Sequence, residues 1–365
     1  MVNSMEKKTT QLLAVAVVAI VVIAAVAIIF WPDGDGEEKT LYWTPVPPKD
    51  QQANFVSGAI DAGVSWEPFC SDSILAGDAH VLKWSGDIWP NHPCCVVAMK
   101  SSYLNSNPDL VARMTRAHIE ADLWIVDALA HPDGANYTLL MQIGAAFSAR
   151  STDVVAAATE HIKFSYELSS DVLESFGDFT QMFIDLNQTS LGSYASVDAF
   201  VSDLVDTTVI DAAMDVQPSE TILGTVNLGF LAGDLHQFAR VVAMNSTVGG
   251  GETLYEKFGL NVISVNPAGY VNGPAVMDAF AAGVIDVGYL GAPPAILKKL
   301  NVGTDIKVVA LANTEGSAIL AVDGIDSFDQ LDNKTVATPG PGSIQHLLLL
   351  VYAQEQGFTV KLKGT

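Results

Sequence analysis

The sequence predicts an α/β protein with largely parallel sheets, carried behind one membrane-crossing helix, and three observations lead there. Strand-like apolar runs alternate with helical stretches from residue 41 onward, a pattern that places helices on the faces of parallel sheets. Hydrophobic residues make up 49% of the 365 and charged ones 16%. That is below the ~25% charged of an average soluble domain, so core material is ample and the bulk of the chain is not disordered. Finally, residues 12–31 form an uncharged apolar run of 20, long enough to cross a ~30 Å hydrocarbon layer as a helix.

Lys7 and Lys8 precede that run, and Asp33, Asp35, Glu37 and Glu38 follow it. The positive-inside bias therefore puts the N-terminus in the cytoplasm and the rest of the chain outside, as a single-pass cell-membrane protein. A cleaved signal peptide is the competing reading. The uncleaved anchor is preferred because the run exceeds the ~7–15 residues of a signal core. With 41 acidic residues against 18 Lys+Arg, the net charge is −23. A surface so negative repels phosphate backbones, which excludes a nucleic-acid partner.

Residues 33–39 read as a solvated linker. Beyond it the candidate strands are 59–65, 81–84, 94–99, 226–230, 261–265, 284–290, 307–311, 318–322, 335–337 and 359–362, with amphipathic helices at 108–130, 235–243, 275–282 and 343–356. Residues 138–213 are helical in pattern almost throughout and predict a cap or flank, and 215–220 a linker. Asn136, Asn187, Asn245 and Asn333 head N-glycosylation sequons. Cys70, Cys94 and Cys95 are too few for a disulfide framework and lack zinc spacing. They read either as one disulfide from Cys70 to Cys94 or Cys95, or as three small buried hydrophobes.

Catalytic signatures are missing: the chain has no GxSxG, HExxH, GxxxxGK[ST], or GxGxxG after a strand. What stands out is a set of Gly/Pro-rich loops at strand-to-helix junctions. Leu231-Ala-Gly-Asp234 follows one strand, Gly291-Ala-Pro-Pro294 a second, and Pro339-Gly-Pro-Gly-Ser343 a third. Each presents backbone N–H groups and the positive end of a helix dipole at a carboxyl edge, which suits a small anion.

At these loops a resemblance becomes specific. Residues 222–365 resemble the first half of the nitrate/sulfonate/taurine class of ABC-importer substrate-binding proteins, through NLGFLAGDLHQFARVVA, GPAVMDAFAAGVIDVGYLGAPPAILKK and FDQLDNKTVATPGPGSIQHLLLLVYAQEQGF. Residues 42–124 resemble the second half, through PPKDQQANFVSGAIDAGVSWEPFCS and NHPCCVVAMKSSYLNSNPDLVARMTRAHIEA. The halves stand in reverse order, so the resemblance implies a circularly permuted, bilobal type II periplasmic-binding-protein fold whose lobes are joined by two crossover strands. The expected organisation is a cytoplasmic stub, anchor and linker over 1–40, half of the second lobe over 41–100, a helical segment joining the old termini over 101–220, the first lobe over 221–322, and the rest of the second over 323–365.

Carried over residue by residue, the resemblance implies ligand contacts from Gly233, His236, Gln237, Gly291, Ala292, Asn313 and Ser317 on the first lobe. Gly342, Ser343, Gln345, Trp66, Glu67 and His92 would face them from the second. It implies binding rather than catalysis, no cofactor or metal, a small anionic solute (sulfonate, taurine, nitrate or bicarbonate type), and an ABC permease with its cytoplasmic ATPase as partner. A sensor ectodomain and a pyrimidine-synthesis-type enzyme are the other function classes considered.

Overall fold

The computed structural model describes residues 39–364; the expected anchor lies outside them. Among the described residues no helix is long and apolar enough to cross a membrane. Thirteen strands are present among these residues: β1 (Lys39–Pro45), β2 (Ala62–Trp66), β3 (His80–Trp84), β4 (Cys95–Lys100), β5 (Ile162–Phe164), β6 (Gly224–Gly229), β7 (Leu260–Ser264), β8 (Val287–Gly291), β9 (Ile306–Leu311), β10 (Asn313–Glu315), β11 (Ser317–Ala321), β12 (Thr335–Thr338) and β13 (Phe358–Leu362).

Eleven of these strands build two mixed sheets. The six-stranded sheet runs β13-β1-β12-β2-β11-β3 and the five-stranded sheet β7-β6-β8-β4-β9. In each, the first strands pair in parallel while one strand next to the far edge, β11 or β4, is antiparallel to both neighbours. The chain enters β4 after leaving β3 of the other sheet, and reaches β11 after β9 and β10, so it crosses between the sheets twice. The central strands read as continuous apolar runs because both faces are covered by helices: β4 (CVVAMK), β8 (VGYLG) and β11 (SAILA) are buried along almost their whole length.

Residues 135–214 pack on the five-stranded sheet as helices Ala135–Ser148, Thr152–Thr159, Ser170–Asp185, Val197–Leu204 and Thr208–Met214. Helix Ser170–Asp185 shows why it belongs there. Val172, Phe176, Phe179 and Phe183 repeat at three- and four-residue spacing, and all enter the large core that also holds Leu290 and Val309. Ser169 caps it by accepting from Val172 N. The expectation of an all-helical segment needs one correction: β5 interrupts it and pairs antiparallel with β10, Ile162 facing Glu315. A second correction concerns the cysteines. All three are free thiols, so the disulfide from Cys70 is not made. Cys70 belongs to the small cluster around Phe55, Ile60 and Leu320, whereas Cys94 and Cys95 belong to the large core. Of the sequon asparagines, Asn136, Asn187 and Asn333 are exposed and Asn245 is half-buried.

Candidate functional site: a closed cleft between the two sheets

Loops from both sheets meet at a cavity of about 20 Å³, room for a single water-sized body. From the five-stranded side come Leu231, Asp234, His236, Asn272, Gly273, Gly291 and Pro294. Trp66, Pro339, Ser343, Ile344 and Gln345 come from the six-stranded side, and Cys94 and Cys95 from the crossover.

Three helices begin here. Helix Gly273–Ala281 is capped by Asn272, whose Oδ1 accepts from Ala275 N at 3.0 Å. Helix Ala292–Val302 starts at Gly291 with Pro293 and Pro294 in its first turn, where a missing N–H costs nothing. Helix Ile344–Glu355 is capped by Ser343, which accepts from His346 N at 3.1 Å. Their positive dipole ends converge on the cavity from both sheets. Trp66 lines the cavity too, and its Nε1–H is buried without a hydrogen-bond partner.

The titratable groups set the rest of the electrostatics. His236 Nε2 bonds to Gly316 O at 2.8 Å, and its Nδ1 faces Cys94 Sγ at 3.2 Å. Burial opposes charge on both groups, yet each favours the charged form of the other: the Cys94 thiol is held below its ordinary value, helped by a hydrogen bond from Cys95, and the imidazole is held above its own. Cys95 Sγ points at Asp234 Oδ2, 3.8 Å away, and burial drives this thiol well up. Burial also raises Asp234, against the pull of His236. Among the described residues lining the cavity there is no Lys or Arg.

Of the residues expected at the site, Trp66, His236, Gly291, Ser343 and Gln345 line this cavity; Gln237, Gly233, Ala292, Asn313, Ser317 and Glu67 brace the structure around it, and His92 and Gly342 lie apart. Gln237 accepts from Leu231 N at 2.9 Å and donates to Asp234 Oδ2 at 3.1 Å, fixing the loop that presents Asp234. Gly233 supplies a left-handed turn residue at φ 65° in the same loop. Ala292 N donates to Cys94 O at 2.8 Å, tying the helix start to the crossover. Asn313 accepts from Cys95 N at 2.9 Å, and Ser317 accepts from Gln345 Nε2 at 2.9 Å. Glu67 is fully buried and accepts from Ser71 N and Ser71 Oγ; burial pushes it up to about 7, against those bonds and His236.

His92 is equally buried, both ring nitrogens without a partner, and burial lowers it to about 3, with His236 and Lys163 adding to the effect. Gly342 lines a separate open groove with Leu297 and Asn301. Sequence reasoning missed Asp234, Asn272 and the cysteine pair as cavity residues. The signal for the pair was there, in two adjacent cysteines at the start of a strand that crosses between sheets.

A model of the NMT1-like family matches residues 7–138, about a third of the chain, which is similar to that family over β1–β4 and helix Pro108–Ala130. No curated protein matches. No solved structure matches either.

Proposed function

We propose that this chain is an extracytoplasmic solute-binding protein that captures a small anion of the sulfonate, taurine, nitrate or bicarbonate type and hands it to an ABC permease. The observation that carries this reading is the convergence of three helix N-termini and the unpartnered Trp66 N–H on one cavity between two sheets. Buried donors without partners are rare, and an acceptor oxygen from a solute would satisfy this one. The similarity to the NMT1-like family supports a solute-binding role of the nitrate/sulfonate type. In this reading the two sheets are the cores of two lobes, β4 and β11 are the crossover strands, and the cavity is the closed state of a hinge-bending cleft.

The circular permutation belongs to the same proposal. The five-stranded sheet has the order 2-1-3-n-4 when β6, β7, β8, β9 are counted one to four, and the six-stranded sheet has the same order beyond its edge strand β13 when β12, β1, β2, β3 are so counted, with β4 and β11 as the returning strands. On that count the chain break falls between β13 and β1, at the edge of the six-stranded sheet. A thermal-shift panel of sulfonates, nitrate, bicarbonate and aminopyrimidines tests the function. A ligand at 100 times its dissociation constant adds about 2.7 kcal/mol, a readily measured rise in Tm. No shift from any oxyanion at millimolar concentration would reject the anion reading.

A further inference from the structure

The one cationic side chain that lines the cleft among the described residues, His236, is engaged by Cys94 at 3.2 Å. Asp234, Cys94 and Cys95 line it and Glu67 lies next to Trp66, whereas among the described lining residues no Lys or Arg answers them. Helix N-termini contribute only about half a unit of charge each.

Cys94 Sγ, Cys95 Sγ and a ring nitrogen of His236 lie within 4.8 Å of one another, and all three residues are buried. The imidazole is already oriented. Its Nε2–H donates to Gly316 O at 2.8 Å, which leaves Nδ1 as the ring atom turned toward Cys94 Sγ at 3.2 Å, where a metal would take the place of the proton shared between them. Tying one ring nitrogen to a backbone carbonyl while the other faces thiols is the way a metal-binding imidazole is held. Second supports fix the thiols: Asn313 Oδ1 accepts from Cys95 N at 2.9 Å, and Ala292 N donates to Cys94 O at 2.8 Å.

We propose that Cys94, Cys95 and His236 bind a thiophilic divalent cation of the zinc type, with one coordination position left open toward the cavity. Bond lengths of ~2.3 Å to sulfur and ~2.1 Å to nitrogen place tetrahedral ligands ~3.5–3.8 Å apart, so the Cys94–His236 pair at 3.2 Å would open by a few tenths of an ångström and separations of up to 4.8 Å would close by about 1 Å, within reach of side-chain rotation. Two thiolates and a dication sum to zero, which removes the cost of burying the sulfur charges. An open fourth position facing the cavity would give an oxygen of an anionic solute a Lewis-acid site to coordinate, which the lining itself lacks. This last step rests on the solute-binding reading; metal capture itself does not.

The test uses the full-length, reduced protein, stripped with a chelator and titrated with Zn²⁺ in competition with a chromophoric chelator, no solute being present. One ion per chain at submicromolar affinity is expected, falling at least tenfold in Cys94→Ser, Cys95→Ser and His236→Gln, and unchanged in Cys70→Ser. Co²⁺ titrated into the unaltered protein should give a thiolate-to-metal charge-transfer band, a readout that needs no variant to fold. Failure to retain stoichiometric zinc, zinc binding without a cobalt–thiolate band, or affinity that survives Cys94→Ser would each overturn the proposal. Since solute is absent from these titrations, such a failure leaves the solute-binding reading standing. An anion that shifts the melt equally in stripped and zinc-loaded protein would sever the link between the two.

Discussion

Ser343 uses its hydroxyl within its own loop: it accepts from His346 N at 3.1 Å and donates to Gly340 O at 2.8 Å. The residue thus caps a helix at the cavity wall rather than holding its hydroxyl free for a solute. Ser343→Ala should cost about 1 kcal/mol of stability, as loss of an N-cap does, while Ser343→Asp keeps the cap and should melt near the parent. Because Asp at this position adds a carboxylate to the cavity lining, it should abolish binding of any anion found by thermal shift; calorimetry showing unchanged affinity would place the anion elsewhere. Glu67 gives a pH prediction. Its folded pKa, about 7, lies above the ordinary value of 4.5, so its contribution is fully present below pH 4.5 and is lost as pH rises through 7. Glu67→Gln, which can still bond Ser71, should flatten that decline in chemical denaturation at pH 5–8, and an unaltered profile would mean the carboxyl is not buried. His92, His118 and His346 work in the opposite sense, because burial lowers them to about 3, 4 and 4. Stability held by keeping them neutral falls away as pH drops below their unfolded values near 6.5.

At the scale of elements, the parallel pairing of β13 with β1 constrains how the chain could be rejoined. Phe358 lies beside Lys39 and Leu362 beside Trp43, so a chain leaving β13 emerges at the end of β1 opposite its start. Returning requires about 16 Å along five residues of strand, and parallel neighbours are normally joined by about a dozen residues. A rearranged chain running 221–364 then 39–215 should therefore melt cooperatively with a 12-residue Gly/Ser linker, and at lower temperature with a four-residue one that pulls β13 from the edge. Equal melts would show the β13–β1 pairing to be dispensable. Helix Pro108–Ala130 was legible in the sequence to its bounds, because 23 residues of apolar spacing leave little choice of period. The strand read at 59–65 begins instead at Ala62, since helix Pro48–Ser57 and a left-handed Gly58 occupy the residues before it. β5 and β10 were not legible at all: three residues carry no period, and each is a strand only because the other, about 150 positions away, pairs with it. The cavity followed the same division. Loops at strand ends could be read from Gly and Pro, but the meeting of Cys94 with His236 depends on long-range packing that local pattern does not encode.

For the whole molecule, what matters is how the two sheets are held against each other. Arg150, just beyond helix Ala135–Ser148, is ion-paired to Asp72 of helix Phe69–Leu75, and its guanidinium lies 5.3 Å from the centre of the Phe69 ring. Leu235 N donates to Glu67 O at 3.3 Å, and Trp84 stacks on His161 at 3.6 Å. The second contact joins the segments that follow β2 and β6, strands of different sheets, and the first and third join the six-stranded side to the helical flank of the other. If the cavity is the closed state of a hinge, these contacts set the balance between open and closed. The Arg150–Asp72 pair is about one-fifth exposed on each side, so it is better shielded than a surface pair, whose worth is about 0–1 kcal/mol. Removing roughly 1 kcal/mol of closed-state preference shifts the equilibrium about fivefold toward open forms. Arg150→Ala should accordingly increase the solution radius of gyration without solute and weaken solute affinity several-fold. It should leave the Tm within a few degrees of the parent, because the cores of both sheets are untouched. Small-angle scattering with and without the solute reads this directly: an unchanged radius together with an unchanged affinity would mean that the pair is incidental and that closure is governed by the loops at the cavity itself.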